Sequence, residues 1–179
     1  MEKLNLRNTI CVLIVMLISN FSFGQSKKDS EEITRIANGV TIYFYEQKMD
    51  LFDELWADNA TFITVEGLKA TGRKKIVELH AMGKFLIDPT SKTLIEKPVF
   101  GYFDSTTAVV YSIWGGLVFK NKDGKPGPTQ SGYLTVVLKK LKNKWKIVSA
   151  TNAYNFRGNP NYNFREYESP KSLNKDDKN

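Results

Sequence analysis

Hydrophobic positions between residues 30 and 56 recur every three or four residues, the period of an amphipathic helix. The pattern follows Ser30, a residue type that caps helix N-termini, and acidic residues occupy the predicted first turn. It breaks near Met49–Asp50 and restarts through Trp56. We therefore predict two helices joined by a tight connection. The buried stripe of the first comprises Ile33, Ile36, Ala37, Val40 and Phe44.

Beyond residue 59 the pattern changes to runs of β-branched and aromatic residues, which are typical of strands. A strand at 60–67 precedes a helix that begins near 71 and ends near Asp88–Pro89. Four long strands are predicted at 92–103, 106–120, 131–141 and 144–154. Gly115–Gly116, in the middle of a strand, indicates a bulge. Helices on one face of a bent antiparallel sheet form an α+β fold.

The chain begins with a three-part pattern typical of a secretory signal. Lys3 and Arg7 precede an apolar run at 9–21, and small residues follow up to Gly24. We interpret 1–24 as a signal peptide, 25–29 as a linker, 30–156 as the domain and 157–179 as a polar, partly disordered tail. The protein is then exported, periplasmic or secreted, without stable membrane insertion once cleaved. An uncleaved anchor is the alternative interpretation.

Composition narrows the chemistry. The 179 residues contain 41% hydrophobic residues, enough for a folded domain with a core. The formal net charge is +7, but the lysines are scattered, and the group at 139–146 fits an exposed hairpin turn. We therefore expect no nucleic-acid partner. The single cysteine, Cys11, lies in the signal, and His80 is the single histidine. We expect neither a metal site nor a cofactor.

Two motifs resemble the nuclear transport factor 2-like superfamily, in its SnoaL-like and ketosteroid-isomerase-like branches, which include exported bacterial domains of unassigned function. The first runs from Trp56-Ala-Asp-Asn-Ala through Gly72-Arg73 to Ile76, and the second is the basic turn followed by Trp145-Lys-Ile-Val. The resemblance implies a cone-shaped fold, N-terminal helices packed on a strongly curved antiparallel sheet. It also implies an apolar pocket and a homodimer formed through the sheet.

The ketosteroid-isomerase-like branch places a proton-shuttling carboxylate on the first strand, where this sequence has Thr64. A threonine hydroxyl does not accept a proton near neutral pH without a strong base beside it. The branch also uses an acid on the strand before the basic turn, and residues 133–138 contain none. Its tyrosine position aligns with Val40 or Ile42. The isomerase mechanism therefore does not carry over.

We predict instead a non-catalytic or weakly catalytic domain that binds a small apolar or amphipathic molecule. An alternative is a SnoaL-like isomerase, cyclase or hydratase using His80 with a carboxylate. A third interpretation is a protein-interaction module with a filled cone. Glu66 and Glu78 are expected to be isolated and solvated. The predicted ligand-binding residues are Trp56, Phe62, Thr64, Trp114, Tyr133, Asn152 and Tyr154.

Overall fold

The computed structural model describes residues 26–155, so the predicted signal peptide and tail lie outside the described residues. Helices α1 (Lys27–Tyr45), α2 (Met49–Asp53) and α3 (Arg73–Met82) precede most of the sheet, and a 3₁₀ turn, Gly83–Phe85, extends α3. None of the helices described here is long and apolar enough to cross a membrane. The strands are β1 (Trp56–Ile63), β2 (Lys69–Thr71), β3 (Leu94–Ile95), β4 (Val99–Asp104), β5 (Thr107–Lys120), β6 (Pro126–Leu141) and β7 (Lys144–Tyr154).

These strands form one sheet in the order β2-β1-β7-β6-β5-β3, with β4 also paired to β5. The α+β prediction is confirmed. One feature of the sheet differs, because β1 pairs with β7 in parallel while the other pairs are antiparallel. The chain reaches β1 through α2 and not through a hairpin from β7, so no turn forces these two strands to be antiparallel.

Several elements differ from the sequence prediction. The strand predicted at 92–103 is divided into β3 and β4 around Pro98, which cannot donate a ladder hydrogen bond. The short strand β2 was not predicted. Helix α3 ends at Met82, because Gly83 follows as its C-cap and the chain tightens into the 3₁₀ turn.

Helix α1 begins at Lys27, so the prediction of Ser30 as its N-cap was wrong and residues 27–29 are helical. Ser26 is the cap, and its hydroxyl accepts a hydrogen bond from the Asp29 backbone N–H at 3.1 Å. The Asp29 carboxylate also accepts from Lys140 Nζ and from Trp145 Nε1, each at 2.7 Å. The hydrogen bond from Lys140, above all, lowers the pKa of Asp29. The helix start is thereby tied to the β6–β7 turn.

The core lies between α1 and the inner face of the sheet. Ile33 and Ile36 of α1 are buried, as are Leu134, Val136 and Leu138 at alternate positions of β6. Alternate residues of a strand share a face, so this side of β6 faces the helix. Ile76 of α3, the last residue of the first sequence motif, is fully buried in the same core.

The predicted bulge is present in β5, where the pairing with β6 shifts between Gly115 and Leu117. Gly116 has φ +79°, and Lys92 N–H donates to its carbonyl oxygen at 2.8 Å. In a regular strand, Trp114 and Leu117 would face opposite sides of the sheet. The shift lets Leu117 and Phe119 face the interior, as Trp114 does before the bulge. The two glycines therefore determine which side chains of β5 face the interior of the cone.

Gly116→Ala is expected to lower the free energy of unfolding by about 2–3 kcal/mol. The backbone there has a positive φ, and an added Cβ would overlap the Lys92 carbonyl oxygen. Chemical denaturation measures the change. Gly101→Ala is the control, since nothing lies within 4 Å of a Cβ at that position. Equal stability of the two variants would contradict this role of Gly116.

Candidate functional site

The cone encloses a cavity of about 440 Å³ between α1, α3, the β1–β2 turn and the inner face of the sheet. This volume suits a small organic molecule. Aliphatic and aromatic side chains make up most of its lining, with a few polar groups among them. The aromatic members are Phe44, Tyr45, Phe62, Trp114, Phe119 and Tyr154.

Five of the seven residues expected to contact a ligand line this cavity. They are Phe62, Thr64, Trp114, Asn152 and Tyr154, and His80 lines it as well. Trp56 and Tyr133 do not. The structure thus brings together residues from β1 and the turn after it, α3, β5 and β7, which are up to 92 positions apart in the sequence.

Trp56 lies in the core behind the cavity wall, only 1% exposed. Its ring packs against Phe52 and Phe62, with centroids 5.6 and 5.8 Å away. The β1–β7 register shifts between Trp56 and Thr61, so the strand is irregular where Trp56 leaves it. In a regular strand, Trp56 would face the same side as Phe62 and so line the cavity. Because the strand is irregular between them, Trp56 lies in the core instead.

Tyr133 lies outside the cavity because its neighbour Leu134 occupies the inner face. Leu134 is buried in the core and lines the cavity, whereas Tyr133 is half-buried and outside the core cluster. Successive side chains of a strand point to opposite faces. Both faces of β6 carry apolar residues, so the sequence could not distinguish the inner face from the outer one.

His80 reaches the cavity from α3. Its Nδ1 lies 2.7 Å from the backbone oxygen of Ile76. A carbonyl oxygen can only accept, so Nδ1 carries the hydrogen and the neutral ring presents an unprotonated Nε2 on its other edge. Among the side chains and backbone groups that the structure describes, no hydrogen-bond partner contacts Nε2.

Three aromatic rings surround this imidazole. The centroids of Phe44, Phe52 and Phe62 lie 5.4, 4.5 and 4.6 Å from that of His80. Burial among these rings lowers the pKa of His80 from 6.5 to about 4, and the hydrogen bond to Ile76 offsets part of that effect. His80 is therefore uncharged at neutral pH and is a hydrogen-bond acceptor.

The buried imidazole should make stability depend on pH between 6.5 and about 4. In this window the unfolded chain binds a proton that the folded protein does not, so stability falls as the pH falls. The loss reaches at most about 3 kcal/mol. Urea denaturation at several pH values measures it, and His80→Phe should remove this part of the dependence. An unchanged dependence in the variant would contradict the assignment.

Asn152 and Trp114 form a polar pair in the largely apolar wall. Trp114 Nε1 donates to Asn152 Oδ1 at 2.6 Å, and the Ala153 N–H donates to the same oxygen at 3.1 Å. Within the described part of the chain, the Asn152 NH₂ group has no hydrogen-bond partner. The pair therefore fixes the amide so that its donor side remains available at the cavity.

Thr64 follows the last residue of β1 and shapes the β1–β2 turn. Its hydroxyl oxygen accepts from the N–H groups of Glu66 and Leu68 at 3.3 and 3.1 Å. Neither partner is a base that could remove its proton. Thr64 thus lines the cavity, but the structure gives it a turn-forming role in place of a proton shuttle.

Glu66 is a lining residue that sequence reasoning missed, having been expected to stay isolated. It is exposed at the cavity rim, and its carboxylate accepts a hydrogen bond from Tyr154 Oη at 3.0 Å. Burial, followed by this hydrogen bond, raises the pKa of Tyr154 to about 12. No sequence signal brings the two together, since they are 88 positions apart and meet only because β1 lies beside β7.

Apart from Glu66, the rim of the cavity is apolar and open. Leu68, Met82 and Leu86 line it and are 59%, 61% and 55% exposed. Residues 26–155 contain no group of three or more metal-ligating side chains. The arrangement can admit an apolar molecule past the rim and offer it a neutral acceptor at His80 and a donor at Asn152.

No protein-family model matches the chain, and no curated protein does. Solved structures do match. A nuclear transport factor 2-like protein with a cystatin-like fold from Novosphingobium aromaticivorans is 16% identical, with 90% of this chain and 96% of that one covered and a TM-score of 0.61. An uncharacterised cystatin-like protein from Caulobacter vibrioides is 16% identical, covering 69% of this chain and 87% of its own, with a TM-score of 0.62.

A ketosteroid isomerase-like protein from Erwinia carotovora atroseptica is 15% identical, covering 69% of this chain and 95% of its own, with a TM-score of 0.56. Identities this low support the fold and not the activity. The described chain has the α+β, cystatin-like fold of nuclear transport factor 2-like proteins, as its motifs predicted.

Proposed function

We propose that this protein binds a small, largely apolar molecule in the cavity and is non-catalytic or only weakly catalytic. The main support is the cavity itself, with its apolar wall, open rim and few polar groups. Most of those groups make internal hydrogen bonds, such as Trp114 to Asn152 and Tyr154 to Glu66. Fixed polar groups in an apolar pocket orient a ligand.

Thermal-shift screening with uncharged aromatic compounds tests binding. Compounds that occupy the cavity should raise the melting temperature of the wild-type protein. Trp114→Ala and Asn152→Ala should weaken binding, the latter about 5–10-fold for ligands with an acceptor group. If no compound in a broad apolar set raises the melting temperature, the binding proposal is wrong.

The second candidate is an isomerase, cyclase or hydratase that uses His80 with a carboxylate. One observation favours it, because the unprotonated Nε2 and the Glu66 carboxylate belong to the same cavity. Against it, the hydrogen bond of the imidazole goes to Ile76, and that of Glu66 comes from Tyr154. We therefore rank binding first.

Proton exchange separates the two candidates. In D₂O, an enzymatic base would accelerate loss of the α-hydrogens of 2-tetralone, which ¹H NMR follows directly. We expect the wild-type protein and His80→Gln to show the same slow exchange. A wild-type rate at least 100-fold above that of the variant would instead establish catalysis.

We also propose that the protein acts as a homodimer formed through the outer face of the sheet. Val99 and Tyr111 are paired across β4 and β5, and they are 51% and 42% exposed. Contiguous exposed apolar surface is typical of protein–protein interfaces, and this pair contributes to such a surface. Sedimentation should give a dimer for the wild-type chain and a monomer for Tyr111→Glu. A monomeric wild-type protein would contradict the proposal.

Export remains a proposal from the first 24 residues. Expression of the full chain in a bacterial host, followed by fractionation and mass spectrometry, should recover a product that starts at Gln25 outside the cytoplasm. Recovery of the intact chain in the cytoplasm or the inner membrane would contradict it.

A further inference from the structure

The single histidine, His80, lines the cavity and has one ring nitrogen that the fold does not use. Its Nδ1–H is held by Ile76, so the ring is fixed in orientation and tautomer. Nε2 then lies on the opposite edge of the imidazole, which packs against the rings of Phe44, Phe52 and Phe62. A ligand that reaches the imidazole therefore meets a hydrogen-bond acceptor at Nε2.

The charges of the lining restrict the ligand further. Among the described side chains that line the cavity there is no lysine or arginine, and Glu66 is the acidic one. An anionic group brought inside would lose its hydration without meeting a cation. The chain has a formal net charge of +7, so the cavity lacks the positive charge that the protein carries as a whole.

We propose that the cavity selects uncharged ligands whose inner end is an alcohol or phenol, and that this hydroxyl donates its hydrogen to His80 Nε2. The inference rests on the proposed binding function and names its ligand class. An ether of the same shape cannot donate, and a carboxylate would place negative charge against the imidazole lone pair. Because burial lowers the pKa of His80 to about 4, the imidazole stays uncharged near neutral pH and the same preference holds there.

A matched series tests the inference by titration calorimetry at pH 7. The probes are 2-hydroxyfluorene, 2-methoxyfluorene, unsubstituted fluorene and fluorene-2-carboxylate, which share one apolar body. We expect the hydroxyl compound to bind at least about 10-fold more tightly than the methoxy compound and about 100-fold more tightly than the carboxylate. Equal binding of the carboxylate and the hydroxyl compound would overturn the inference.

His80→Phe keeps the ring packing and removes the acceptor. In this variant fluorene should still bind, and the preference for the hydroxyl over the methoxy compound should fall to about one. Thr41→Val is the matched control, since it removes a different hydroxyl that lines the same cavity and should retain the preference. A preference that survives in His80→Phe, or is lost only in Thr41→Val, refutes the role of His80.

A second readout does not depend on the variant folding. Because the sequence has one histidine, ¹⁵N NMR observes the Nε2 of His80 without ambiguity. 2-Hydroxyfluorene should move this resonance toward that of a hydrogen-bonded imidazole nitrogen, and fluorene should not. If fluorene binds but neither the preference for the hydroxyl compound nor the Nε2 shift is seen, only the proposed ligand class is contradicted. If none of the four probes binds, the proposed binding function is contradicted as well.

Discussion

Trp56→Ala is expected to lower the free energy of unfolding by about 3–5 kcal/mol, the largest stability effect anticipated here. The indole is 1% exposed, and its removal would leave a void against Phe52 and Phe62. Urea or guanidinium denaturation measures the change. A loss below about 1 kcal/mol would mean that Trp56 does not occupy the core as described.

Tryptophan-to-phenylalanine substitutions supply a matched control. Trp56 and Trp145 are each 1% exposed, but Trp56 Nε1 has no hydrogen-bond partner within the described residues, whereas Trp145 Nε1 donates to Asp29. Trp56→Phe therefore removes an unpaired buried donor, and Trp145→Phe removes a bond to a carboxylate. We expect Trp145→Phe to be more destabilising by about 1.5–3 kcal/mol. The reverse order would contradict the two environments.

Leu79→Trp is expected to weaken ligand binding at least about 100-fold, the largest functional effect. Leu79 lines the cavity from α3, beside His80, and a larger side chain there would occupy the space that a ligand needs. Titration with 2-hydroxyfluorene measures the loss.

Its control is Val77→Leu, an enlargement on the same helix at a residue that packs against the core but does not line the cavity. Circular dichroism establishes whether each variant folds. Unchanged affinity in a folded Leu79→Trp protein would show that the ligand binds elsewhere.

The fold was predictable because its strongest signals are local. The spacing of Ile33, Ile36 and Val40 indicated α1, and the glycine pair in β5 indicated the bulge. The start of α1 was misplaced because Ser30 followed by two glutamates resembles a cap. Ser26 and Asp29 provide the actual cap, and Asp29 is held by side chains more than a hundred positions away. Such tertiary contacts leave no local pattern.

The cavity was predictable in part. Phe62, Trp114 and Asn152 lie on regular strand segments, where alternation leads to the correct face. Trp56 was misplaced by the irregular start of β1, and Tyr133 by a strand that is apolar on both faces. The pairing of Glu66 with Tyr154 depends on the parallel contact between β1 and β7, which the sequence pattern did not indicate.

The most direct test of the cavity as a ligand site uses the indole N–H signals in a ¹⁵N–¹H spectrum. The sequence has three tryptophans, of which Trp114 lines the cavity while Trp56 and Trp145 lie in the core. Titration with 2-hydroxyfluorene should shift the Trp114 signal saturably and leave the other two nearly unchanged, with Trp114→Phe supplying the assignment. Absence of any saturable shift, or equal shifts of all three, would contradict binding in the cavity.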